Sequence, residues 1–176
     1  FLHICGRRPD GYHNLQTVFQ FLDIADELCF ELDDSQHIQL TTSTELAGIP
    51  EQDNLIIKAA LALKNATRST LGAKISITKN LPMGAGIGGG SSDAATTLIA
   101  LNRLWNLGLN QCELKNIGVT LGADVAIFIH GHSAWAEGIG EQLSDLNLEE
   151  KWYLLLFPPC HVSTAAIFSH SDLTRD

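Results

Sequence analysis

The segment Leu81-Pro82-Met83-Gly84-Ala85-Gly86-Ile87-Gly88-Gly89-Gly90-Ser91-Ser92-Asp93 holds the densest chemistry in the chain. Five of the seven residues from 84 to 90 are glycine, and two hydroxyls follow them. Without a Cβ, glycine lets backbone N–H groups close on an anion. An alternating stretch precedes the segment and a helical apolar pattern follows it. The positive end of that helix, with its unpaired N–H groups, therefore faces the same place. An ordinary turn needs one or two glycines rather than five, so residues 82–92 are expected to hold phosphate. Walker A is excluded, because no candidate glycine is followed by Lys. Gly84-x-Gly86-x-x-Gly89 satisfies GxGxxG, but a dinucleotide fold needs a strand ending in an acid about 20 residues on. The chain there reads Leu107-Gly108-Leu109-Asn110. Protein-kinase HRD and DFG sets are absent.

Other residues could do chemistry, each with a plainer reading beside it. Asp124 is the lone carboxylate between Leu121 and the apolar run 125–129. Poor solvation there would raise its pKa unless a cation or hydrogen bond offset it. A turn acid capping the next element would look the same, and spacing alone leaves both readings open. Ser91 and Ser92 stand where a helix N-cap is expected, a role compatible with phosphate or Mg²⁺ contact. Asp93 suits the first helical turn and could steady a hydrated Mg²⁺. Asn54 and Lys79 are ordinary at a helix start and a strand end. Tyr12-His13 follows Gly11 in an expected turn, where exposure without a role is the plain reading. His130-Gly131-His132 alternates on an expected strand without a third ligand, so it is read as a surface pair rather than a metal site. Trp105, Trp135 and Trp152 are expected in core or rim packing.

The elements that must position these residues follow from composition and period. A chain of 176 residues is about one domain, and 45% hydrophobic with 18% charged residues favours a packed core. The net charge is −9 with no basic run, which argues against a nucleic-acid partner or an acidic membrane surface. The longest apolar runs, 125–129 and 153–157, are far shorter than the roughly 20 residues of a membrane span. Cys5, Cys29, Cys112 and Cys160 are scattered without CxxC spacing, so a reduced, cytoplasmic protein without a zinc site is expected. Residues 22–32 and 38–40 suit paired strands with Asp33-Asp34-Ser35 between them. Residues 53–68 have helical period behind Asp53 as N-cap, and 73–79 alternate as a strand with one buried face. Helices are expected from about Ser92 to Asn106 and, behind an Asn110/Glu113 capping box, up to Gly122. Residues 125–129, 133–137 and 153–157 read as strands. Runs of strands without strict βαβα alternation make the class α+β.

One pattern remains for the loop: Pro82-x-x-x-Gly86-Ile87-Gly88-x-x-Ser91-Ser92, followed by Ala94-Ala95. It resembles the GHMP small-molecule kinases. Further stretches, in order, resemble a branch of that family whose substrate carries a cytidyl group. They are Asp10-Gly11-Tyr12-His13-Asn14-Leu15, Asp53-Asn54-Leu55-Ile56, Leu121-Gly122-Ala123-Asp124-Val125 and Ala136-Glu137-Gly138-Ile139-Gly140-Glu141. The resemblance covers essentially the whole chain. It implies the α+β amino-terminal fold of these kinases, akin to domain 2 of ribosomal protein S5, with a mixed or antiparallel sheet and helices packed on it. It implies ATP and Mg²⁺, with residues 82–92 around the phosphates and Asn54 and Lys79 framing the adenine. Asp124 would be the base that takes the proton from the attacking hydroxyl. Tyr12 and His13, with Phe168 as a second ring, would hold the cytosine of a small-molecule substrate, through a π face and a polar edge. Related kinases for homoserine, mevalonate or a sugar are the alternative, as is a fragment that binds nucleotide without turnover. The resemblance also makes residues 1–157 an amino-terminal ATP-binding domain lacking its first strand and the Lys that pairs with Asp124. Residues 158–176 would start the connection to a carboxy-terminal domain. The family often has Pro where Ala126 stands.

Overall fold

Alternation in residues 72–78 decides the centre of one sheet. Ala73, Ile75 and Ile77 are at most 3% exposed, while Lys74, Ser76 and Thr78 face out. The computed structural model describes residues 1–42, 50–82, 84–158, 162 and 164–174. Met83, Cys160 and part of the stretch 158–176 lie outside the described residues. The described chain divides into two compact units, Leu22–Gly131 and Phe1–Phe21 with His132–Asp176.

In the first of these, β3 (Glu27–Asp33) and β4 (Ile38–Thr42) flank β5 (Gly72–Thr78). β3 pairs with β5 antiparallel and β4 pairs with it parallel, so Phe30 and Leu40 both stand opposite Ile75. The expected pairing of the first two strands with each other is therefore corrected: β5, with the most thoroughly buried face, enters between them. Gly72 makes the entry possible, because a Cβ there would collide with the carbonyl oxygens of His37 and Asp33.

Among the described residues, four α-helices belong to this unit. α1 (Leu55–Thr67) buries Ile56, Ala59, Ala60 and Leu63 and is capped by Asn54, whose Oδ1 accepts from Ile56 N at 2.9 Å. Asp53 falls instead in a short 3₁₀ turn, Glu51–Asp53, and is not the cap. α2 (Gly89–Leu104) begins inside the glycine run, about one turn before the expected start at Ser92. α3 (Gln111–Val119) carries the expected capping box of Asn110 and Glu113. α4 (Val125–His130) replaces the expected strand over 125–129. A run that is apolar throughout has no period of its own. The helix wins because it sets Val125 and Ile129, one turn apart, against α3 at Gly118, where an added Cβ would stand 2.7 Å from Ile129 Cδ1 and 2.9 Å from Val125 Cγ1. His130 consequently ends a helix rather than alternating on a strand. Leu63, Leu98 and Leu101 are fully buried in the shared core. Truncating one of them to Ala should cost roughly 2–5 kcal/mol.

The other unit is an antiparallel sheet in the order β1 (Leu2–Arg7), β2 (His13–Phe19), β6 (Ala134–Glu137), β7 (Gln142–Asp145), and it also holds the short α5 (Thr164–Ser169). β7 has too few apolar residues to announce itself. Residues 153–157, expected as a strand, have no regular structure, and Leu154 and Leu156 are exposed. Trp152 is fully exposed rather than packed, whereas Trp105 is buried and donates its indole N–H to the Gly72 carbonyl at 3.0 Å. The α+β class stands.

Candidate active site

β5 fixes the site, because its inward phase of Ala73, Ile75 and Ile77 continues to Lys79. A charged residue at an apolar phase ends up against α2, paired with Asp93, and the Lys79 side chain is only 12% exposed. The chain then turns through Pro82 and the glycines into α2. Gly84, Gly86 and Gly88 have φ of 70°, 74° and 75°, a left-handed conformation at every second residue that side-chain-bearing residues resist. Gly88 is the N-cap of α2 and, being glycine, offers no side-chain bond to the helix. The first intrahelical bond runs from Ser92 N to Gly88 O at 2.9 Å. The N–H groups of Gly89, Gly90 and Ser91 precede it and are presented to whatever binds at that end.

A cavity of about 390 Å³ opens there. Of the residues expected around ATP, Pro82, Gly84, Ala85, Gly86, Ile87, Gly88, Gly89, Gly90, Ser91, Asn54 and Lys79 line it. Ser92 does not, and Met83 lies outside the described residues. Neither serine is the cap expected of it, since both sit inside α2. Asn54 lines the cavity while its Oδ1 caps α1. Asp53, Leu55, Ile56, Ile77 and Asp93 complete the lining.

Lys79 holds two carboxylates. Its ammonium donates to Asp93 Oδ2 at 3.0 Å and to Asp26 Oδ2 at closer range. Asp26 Oδ1 accepts from the backbone N–H groups of Asn80 and Leu81, at 2.7 and 2.8 Å. Burial alone would raise the Asp26 carboxyl, but the Leu81 N–H, Lys79 and the Asn80 N–H outweigh it and hold the group below the ordinary carboxylate range. Asp93 goes the other way. Burial pushes it up to about 6, against the pull of Lys79 and with a further push from Asp26. Desolvation would lower Lys79, but its bonds to Asp26 and Asp93 raise it, so the ammonium stays charged. Sequence reasoning missed Asp26, whose partners lie more than fifty residues away.

Asp124 is not part of the cavity lining. It precedes α4 with no side-chain cap bond and, against the expected poor solvation, is an exposed residue; the protein around it still desolvates its carboxyl enough to push it above the ordinary range. α4 reaches the loop through Phe128, whose ring lies where a Cβ on Gly88 would come within 2.8 Å.

The residues expected around a cytosine belong to the other unit. Tyr12 is 59% exposed at the end of a turn in which its N–H donates to Asp10 Oδ1 at 3.1 Å. His13 is buried, which removes the plainer reading of an exposed imidazole. Its ring centroid lies 5.1 Å from that of Phe168, with the planes inclined at 51°.

The profile of the GHMP kinases N terminal domain matches residues 54–132, which span α1, the glycine loop and α4. The 4-diphosphocytidyl-2-C-methyl-D-erythritol kinase of Methylococcus capsulatus is 61% identical over 99% of this chain and 60% of its own length. That of Pseudomonas syringae pv. syringae is 58% identical over 99% of this chain and 61% of its own length. This chain thus spans about 60% of the curated relatives it matches. Among solved structures, a 4-(cytidine 5'-diphospho)-2C-methyl-D-erythritol kinase superposes with a TM-score of 0.68 at 38% identity, over 84% of this chain and 52% of that one. A homoserine kinase from Cytophaga hutchinsonii superposes at 0.62 with 18% identity, over 79% of this chain and 46% of that one, a likeness of fold.

Proposed function

We propose that this chain, which carries the GHMP kinase amino-terminal domain, binds ATP on residues 82–92 and transfers the γ-phosphoryl group to the 2-hydroxyl of 4-diphosphocytidyl-2-C-methyl-D-erythritol. The observation that carries the proposal is a glycine-lined cavity at the N-terminus of α2, in a chain 61% identical along 99% of its length to a kinase of that name. The reaction would be a cytoplasmic step of non-mevalonate isoprenoid precursor synthesis. Residues 1–157 act as its ATP-binding domain, and residues 158–176 would start a connection to a carboxy-terminal domain.

The backbone N–H groups at the loop and at the start of α2 hold the phosphates in line with the incoming alcohol. Asn54 and Lys79 frame the adenine. Asp124 accepts the proton of the substrate hydroxyl as its oxygen bonds to the γ-phosphorus and the bridging oxygen leaves with ADP. A carboxyl raised by desolvation is a stronger base once ionised, which suits that step. Tyr12, His13 and Phe168 select the cytosine.

Mg²⁺ fits as a companion of the nucleotide. Among the described residues no group of three His, Cys, Asp or Glu could hold a metal, and Asp93 is engaged with Lys79. Such a site suits an ion bound mainly through substrate phosphates, with the Ser91 hydroxyl among the lining oxygens that would contact it. When bound, Mg²⁺ supplies charge neutralisation on the transferring phosphoryl group.

The test is ADP release by the intact protein with the cytidyl substrate, homoserine, mevalonate and a hexose offered separately. Turnover is expected with the cytidyl substrate alone. ADP release that prefers any of the other three overturns the assignment.

A further inference from the structure

The cluster of Asp26, Lys79 and Asp93 has one carboxylate more than its charge requires. Asp26 and Lys79 stand directly across from each other one step beyond the last rung of the β3–β5 ladder, Glu27 opposite Thr78. Side chains opposite each other in an antiparallel pair project from the same face. Asp26 therefore shares the inward phase of Leu28 and Phe30, and its side chain is 1% exposed. A second buried carboxylate adds desolvation cost and repulsion from Asp93, but its own partners outweigh both, so bracing the fold is one reason to keep it. What it touches gives another. One oxygen grips the ammonium of Lys79, a cavity residue, and the other takes the N–H groups of Asn80 and Leu81, the two residues that carry the chain from β5 toward the glycine loop. The Asn80 amide adds a 3.0 Å bond to the Ala25 carbonyl beside it.

We infer that Asp26, which does not line the cavity, is a positioning residue for nucleotide binding: it sets the Lys79 ammonium against the cavity wall and fixes the direction in which the chain leaves β5 for the glycine loop. The inference rests on the ATP-binding reading above and adds to it a residue outside the loop. Asp93 and Asp26 then divide the work on Lys79. Asp93, on α2, ties the ammonium to the helix that presents the phosphate-binding N–H groups, and Asp26 ties it to the sheet. With both in place, β5 and α2 are registered to each other through one cation at the cavity's edge.

The experiment compares wild type, Asp26→Asn, Asp26→Glu, Lys79→Met and the Asp26→Asn/Lys79→Met double variant of the intact protein. ATP affinity is read by calorimetry, and steady-state constants are measured for both substrates. Asp26→Asn keeps an acceptor for the two backbone N–H groups but loses the charge facing Lys79. Its ATP Kd should rise at least tenfold, with a much smaller change in kcat and none in the KM of the cytidyl substrate. Asp26→Glu, which restores the charge, should recover part of the loss. Because Asp26 acts through Lys79, the double variant should bind ATP within about twofold of Lys79→Met alone. An unchanged ATP Kd in Asp26→Asn, multiplying losses in the double variant, or an equal rise in both KM values overturns the inference. Should Asp26→Asn fail to fold by circular dichroism, Asp26→Glu decides, and a folded Asp26→Glu with wild-type ATP Kd and kcat overturns it as well. Wild type that binds no ATP overturns the functional reading itself, a result distinct from all of these.

Discussion

The Asp26 side chain is buried and Asp124 is an exposed residue, yet protein desolvates both carboxyls, and they shift in opposite directions because among the described residues only Asp26 has partners. Asp26 has a cation and two N–H donors, while Asp124 has desolvation alone. A general base gains from the second environment, because the proton it takes up relieves the desolvation penalty. Replacing Asp124 with Asn in the intact protein should lower kcat by roughly 10²–10⁴ while ATP affinity stays near wild type. In wild type, the base must be ionised, so kcat should fall as pH drops through the Asp124 ionisation, above the ordinary carboxylate range. A variant with near-normal kcat, or a kcat flat to pH 4, would remove Asp124 from that role. Lys79 was named only through the resemblance, because a lysine at a strand end is ordinary until its inward phase behind Ala73, Ile75 and Ile77 is seen in the sheet. Asp26 was not named at all, because its partner is set by a strand register that no local pattern carries.

The glycine run is the element whose sequence spoke most plainly, and the structure separates its members by what each must do. Gly88 has a φ of 75° and lies against the Phe128 ring, so even one methyl group meets both backbone strain and a clash. Gly90, already within α2, has an ordinary φ, and an added Cβ would make only a 3.4 Å contact with Leu55. Gly88→Ala should therefore cost about 1–3 kcal/mol from strain at that backbone conformation and weaken ATP binding tenfold or more. Gly90→Ala should melt at or above the wild-type temperature and bind ATP within a few-fold. Thermal unfolding and ATP titration of the two variants side by side check this, and equal losses in both would contradict it. Elsewhere the element pattern misled. Residues 125–129 are apolar at every position, so period could not choose between strand and helix, and the close approach at Gly118 settled it. Residues 153–157 had the composition of a strand but pair with nothing described, while β7, mostly polar, pairs with β6.

At the scale of the molecule, the residues expected around ATP and those expected around a cytosine sit on different compact units. The glycine loop, Asn54, Lys79 and Asp124 belong to Leu22–Gly131, and Tyr12, His13 and Phe168 belong to the other. The resemblance proposed both sets but not this division, because the second unit is assembled from the two ends of the chain. The division makes substrate recognition separable. In Tyr12→Ala the lost ring is largely exposed at a turn braced by Asp10, so neither a core nor a strand pairing goes with it. A base–aromatic stack is worth about 1–3 kcal/mol by alanine substitution, so the KM of the cytidyl substrate should rise about 5- to 150-fold. The KM of ATP should move less than twofold, because no cavity residue is touched. Steady-state kinetics of the intact variant, varying each substrate at saturation of the other, give both numbers. Equal rises in the two KM values would mean that Tyr12 acts on the fold of the enzyme rather than on the base, and the assignment of the cytosine to this unit would fall with it.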